Sequence, residues 1–117
     1  MKTGIELITE ERQRQITKEG YTPIRDEAHD HRELASAASS YVSHYVARAW
    51  TFNNELGMPG ITDGPFTYRS QRMPDSWPWD EESWKPKNPL YDLVRAGALI
   101  AAEIDRVQRL TKESEGV

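Results

Sequence analysis

The chain has 117 residues, a formal net charge of −4, a pI near 5.4, a mean hydropathy of −0.79 and no cysteine. That length suits one domain with a modest core, and the acidic balance excludes general nucleic-acid binding, which needs a basic footprint. Without cysteine there is no disulfide framework, zinc-thiolate site or cysteine nucleophile; without a secretory h-region or a bilayer-length apolar run, the cytoplasm is the expected compartment.

Thr3 and Glu6 have capping-box spacing, and Ile5, Ile8 and Ile16 give a weak helical stripe as far as Lys18. Gly20 is placed to stop this first helix. Its EERQRQ run predicts a mostly solvated helix, or an arm that leans on a partner. A second helix is expected from about His31 to Trp50, with Asp30 and Glu33 as its cap. Leu34, Ala37, Ala38, Tyr41, Val42, Tyr45, Val46 and Ala49 recur there without interruption at helical spacing.

Residues 51–87 change character, being rich in glycine and proline and holding three of the four tryptophans. A connection this long is uncommon in a compact domain and tends to be functional. Asp63-Gly64 predicts a short hairpin, and WPWDEESW a single helical turn after Pro78.

The third helix, from Asn88 to about Leu110, is the centre of the expected fold. Asn88 is a good N-cap and Pro89 suits the first helical position. Leu90, Leu93, Val94, Gly97, Ile100, Ala101, Ile104 and Val107 keep helical spacing, and AGALIAAEI is apolar almost all round. A helix apolar on most faces is usually covered by several neighbours, so Ile100 and Ile104 are expected in the main core. The tail 111–117 is expected to fray.

These elements predict a single all-α domain over 1–117, with three main helices. The last two pack antiparallel, joined by the Trp/Pro-rich segment. Three helices leave the central one under-covered, so the expected chain is a homo-oligomer whose dimer completes a bundle.

Acids are the most chemical feature. Asp26, Glu27, Asp30 and Glu33 crowd the entry of the second helix, and such a group suits Mg²⁺, which takes oxygen ligands. Asp92 and Glu103 could complete it; they are eleven residues apart, about 16 Å along one helix face. Helix N-termini favour acids through the macrodipole in any case. His29 and Glu33 have the spacing that can grip zinc but lack the second histidine of H-E-x-x-H, and His44 reads as a packed boundary histidine. Trp77, Trp79 and Trp84 could stack a nucleotide ring or could instead pin their segment to helices poor in large side chains. Arg69, Lys85 and Lys87 nearby would suit phosphate. No P-loop, G-x-G-x-x-G or nucleophile elbow is present.

Taken as a set, ERQRQI, GYTP, ELASAASSY, WPWD, WKPK and DLVRAGALIAAEIDR resemble a small family carried by bacteriophages and prophages. The likeness covers about Gly4 to Tyr41 and Ser76 to Arg106, with Ala47 to Pro74 similar to an insertion; it implies the cytoplasm of a host cell. RDEAHDHRELASAA also resembles the first acidic motif of the all-α, MazG-like NTP pyrophosphatases, with Glu27, Asp30 and Glu33 as counterparts. YDLVRAGALIAAEID is loosely similar to the second motif, through Asp92 and more remotely Glu103. This resemblance implies a nucleotide-binding protein, with Mg²⁺-dependent hydrolysis of a nucleoside triphosphate. Glu33 and Asp92 would be the catalytic acids, and Glu27, Asp30, Glu33, Asp92 and Glu103 would hold metal. Trp77, Trp79, Trp84, Lys85, Lys87 and Arg69 would bind the ligand. The alternative is a non-enzymatic phage accessory protein that sequesters a signalling nucleotide or blocks a host defence protein.

Overall fold

The structure, a computed structural model, describes residues 1–19, 32–48, 68–70 and 73–115. Among these residues the fold is all-α, with helices α1 (Gly4–Glu19), α2 (Glu33–Arg48) and α3 (Pro89–Glu115) and no strand. Two 3₁₀ turns, Tyr68–Ser70 and Glu81–Ser83, precede α3. The hairpin expected at Asp63-Gly64, the stop at Gly20 and the cap at Asp30 lie outside the described residues.

Local chemistry explains the helix starts. At α1 the capping box closes in both directions: the Glu6 N–H donates to Thr3 Oγ1, and the Thr3 N–H to Glu6 Oε1, each at 3.2 Å. At α3 the Asn88 side chain accepts from the Tyr91 N–H at 2.8 Å, and Pro89 takes the first helical position, where a missing N–H is harmless. The expected turn after Pro78 forms as Glu81–Ser83, capped by Asp80, which accepts from the Ser83 N–H at 3.2 Å. α3 runs past Leu110 to Glu115; no glycine or proline interrupts TKESE, and Lys112 in the last turn opposes the helix dipole.

α3 is the spine, with α2 on one side and α1 on another. α2 and α3 run antiparallel: the Arg95 guanidinium lies over the Tyr41 ring, while His44, three residues on, meets Tyr68, whose hydroxyl bonds Asp92. The core comprises Leu34, Ala37, Ala38, Tyr41, Trp77, Ala96, Leu99 and Ala102, with Met73, Trp79 and Trp84 against it. Its alanines let the helices approach closely but fill little volume, and the tryptophans fill the remainder. α1 packs through a mixed surface. Ile8 sits where a Cβ on Gly97 would stand, 2.5 Å from that position, and Glu11 and Gln15 are buried.

Burial departs from the apolar pattern on one helix and from an expectation on another. On α2 the buried face turns through Ser40 and His44, leaving Val42 and Val46 38% and 74% exposed. The reason is that residues 73–87 cover the Ser40 side, where the Ser40 and Ser76 hydroxyls meet at 2.7 Å. On α3, Ile100 and Ile104 are not in the core: they are 45% and 53% exposed. α1 and α2 occupy two stripes of α3 and no described element covers the third.

Candidate functional site

The most connected polar group is Asp92, in the first turn of α3 and fully buried. Its carboxylate accepts from the Tyr68 hydroxyl at 2.6 Å, from the Lys87 N–H at 3.1 and 3.2 Å, and from the Arg95 guanidinium at 2.7 Å. Arg95 also donates to the Lys85 carbonyl at 2.7 Å and lies over the rings of Tyr41 and Tyr91. One carboxylate thus ties the Tyr68 turn and the segment entering α3 to the helix. Burial, with the Asp92 bond second, raises the pKa of the Tyr68 hydroxyl, so it stays a donor.

His44 adjoins this node. It is buried, with ring contacts to Tyr68 at 4.5 Å and Trp84 at 5.4 Å, and neither ring nitrogen has a hydrogen-bond partner in good geometry among the described residues. Burial lowers its pKa, outweighing the upward pull of the Tyr68 backbone and the Asp92 carboxylate. The imidazole is therefore neutral at pH 7. The expectation of a packed histidine is met; Tyr68 and Arg95, which complete the node, carry no sequence signal beyond residue type.

The acids proposed for metal do not assemble around Asp92. Tyr68 touches both His44 and Asp92, whereas Glu33 is eleven residues back along α2, about 16 Å of helix. Glu103 is as far from Asp92 along α3 and forms an ion pair with Arg106. Antiparallel packing puts Glu33 and Glu103 at one end of the helix pair and Asp92 at the other. Glu27 and Asp30, with His29, lie outside the described residues. Among the described residues no three His, Asp or Glu side chains are placed to hold a metal ion.

The tryptophans are placed for packing. Trp77 is buried, donates to the Asp80 carbonyl at 3.0 Å, and meets Tyr41, Trp79 and Trp84 within 5.4 Å. Trp84 stacks on Tyr41 at 5.0 Å, and Trp79 is half-buried. As placed, the Trp77 ring has no free face for a base. Arg69, Lys85 and Lys87 are exposed, with the Lys87 ammonium 4.6 Å from the Tyr91 ring centroid.

Two surface features remain. A cleft of about 410 Å³ lies between α1 and the start of α3, lined by Leu7, Leu90, Tyr91 and Val94. Its charges are engaged by nearby residues: Glu11 holds Arg14 through two bonds of 2.7 and 2.8 Å, and Glu10 pairs with Lys2, just before α1. The second feature is the uncovered stripe of α3: Leu93 (37% exposed), Ile100, Ile104 and Val107 (47%). No helix among the described residues is long and apolar enough to cross a membrane. No family model, curated protein or solved structure matches the chain.

Proposed function

We propose that this chain is a non-enzymatic binding protein that docks a protein partner on the uncovered apolar stripe of α3. One observation carries the reading: Leu93, Ile100, Ile104 and Val107 form a row of large apolar side chains, each at least 37% exposed, on the longest helix. Single exposed apolar residues are ordinary, but an aligned row marks an interaction surface. The self-association expected of an under-covered central helix falls on this row, as does the blocking of a host protein that the phage resemblance implies. Supporting it from the other side, Asp92 is committed to Tyr68, Lys87 and Arg95 and stands far from Glu33.

The competing reading is Mg²⁺-dependent hydrolysis of a nucleoside triphosphate, using Glu27, Asp30 and Glu33. Incubation with a panel of nucleotides and Mg²⁺, following both turnover and depletion of free ligand, separates the two. The binding reading expects neither. Turnover that falls in Glu33→Gln would return the hydrolase, and depletion without turnover would make the protein a nucleotide sponge.

A further inference from the structure

We propose that protonation of His44 releases the segment 77–84 from α2 while α1, α2 and α3 stay folded. This acid-operated latch is independent of the open stripe of α3. The segment is knit to itself and can move as one body. The Trp77 indole N–H donates to the Asp80 carbonyl at 3.0 Å and to Ser83 Oγ at 3.2 Å. Ser83 Oγ donates to the same carbonyl at 2.8 Å, and the Trp84 N–H donates to the Glu81 carbonyl at 3.1 Å. Against α2 the segment presents rings. Trp77 meets Tyr41 edge-on at 5.4 Å, and Trp84 stacks on Tyr41 at 5.0 Å and meets His44 edge-on at 5.4 Å.

Of these rings only His44 changes charge between pH 5 and 8. It is 1% exposed, and its two nitrogens lack a partner in good geometry among the described residues. Neutral, it packs as an aromatic ring; charged, it carries two N–H donors that need acceptors. The groups facing it do not supply them. Asp92 of α3 is already shared by Tyr68, the Lys87 N–H and Arg95. The Tyr68 backbone and Asp92 favour the charged form, but burial outweighs them and Arg48, one turn on along α2, adds a like charge. Tyr45 brings only a neutral hydroxyl, and Glu81, Glu82 and Lys85 beside Trp84 are exposed. Water must therefore reach the imidazolium, and the Trp84 side is the weaker wall. Tyr68 is tied to Asp92 through its hydroxyl, whereas the Trp84 indole N–H has no partner in good geometry.

Released, His44 takes a proton at the ordinary 6.5; docked, burial holds it lower. The ratio of released to docked chain thus ignores this group above pH 6.5. Below it the ratio rises by up to about tenfold per pH unit, until the docked value is passed.

The native chain has no cysteine, so single cysteines locate the opening. Ser40 is fully buried against Ser76, which adjoins the segment. Ala98 is buried on α3 outside the Trp77 cluster, and Gln13 is exposed. Labelling with dithiodipyridine detects released chain even when it is rare, and rates relative to Gln13→Cys cancel the thiol's own pH dependence. From pH 6.5 to 5.5 Ser40→Cys should label up to about tenfold faster, and Ala98→Cys should not follow. Adding His44→Phe or His44→Gln should abolish the rise. A flat Ser40→Cys rate, or a rise that survives both His44 variants, overturns the latch. Equal rises at both buried cysteines mean that the whole chain opens, which overturns it too. If neither His44 variant folds, proton NMR of the native imidazole decides: titration below 6.5 upholds the latch, and titration at 6.5 or above ends it.

Discussion

Replacing Asp92 tests whether this carboxylate serves structure or chemistry. In Asp92→Ala the Tyr68 hydroxyl, the Lys87 N–H and the Arg95 guanidinium lose their shared acceptor in a fully buried place. Removing one partner of a buried ion pair costs about 3–5 kcal/mol, because the other charge is left uncompensated. With roughly 6–18 kcal/mol of total stability for a chain of this length, the loss is a large share. At about 4 °C per kcal/mol it lowers Tm by roughly 12–20 °C. The assay is urea and thermal unfolding followed by far-UV circular dichroism. The double variant Asp92→Ala/Arg95→Met should recover part of the loss, since both charges then leave together. A change below ~0.5 kcal/mol, or a gain in stability, would refute the structural assignment: a gain is what removal of a strained catalytic acid tends to produce.

Three further outcomes follow from the same packing. His44 is held neutral by burial, beside Tyr68, Asp92 and Arg48, so the unfolded chain takes the proton first as pH falls. Stability is unaffected by this group above the ordinary histidine value of 6.5 and is lost as pH drops through it; the urea midpoint of His44→Phe should fall less between pH 7.5 and 5.5 than that of the native chain, and equal slopes would contradict this. Trp77→Ala should cost about 3–5 kcal/mol and erase much of the near-UV circular dichroism of the aromatic cluster; a cost under ~1 kcal/mol would mean that the ring is free for a ligand after all. Asn88→Ala should cost about 1 kcal/mol in chemical denaturation, with Asn88→Asp close to native.

What could be read in advance was local. The Thr3–Glu6 box, the Asn88-Pro89 start and the Asp80 turn depend only on residues within three positions of each other, and each forms at its expected place. The packing role of the tryptophans followed from volume, because helices lined by alanine need large neighbours. The open stripe of α3 did not follow, since a helix apolar almost all round gives no internal sign of which face its neighbours leave bare. The Asp92 node was equally hidden: Tyr68 lies 24 residues away in sequence, and no periodicity links it to α3. Val42 and Val46 misled for a similar reason, as the segment 73–87 approaches α2 from the side of Ser40 and turns the buried face away from them.

The most direct measurement of the central claim is sedimentation equilibrium of the native chain beside Ile100→Glu at micromolar concentration, with a urea melt of each. The native chain should sediment at twice its 13.5 kDa mass. Ile100→Glu should sediment as a folded monomer, losing only the stability that association supplied. A native monomer would contradict self-association through this face and leave it to a different protein, and an Ile100→Glu chain that unfolds at every concentration would contradict the claim that this face of α3 binds a partner.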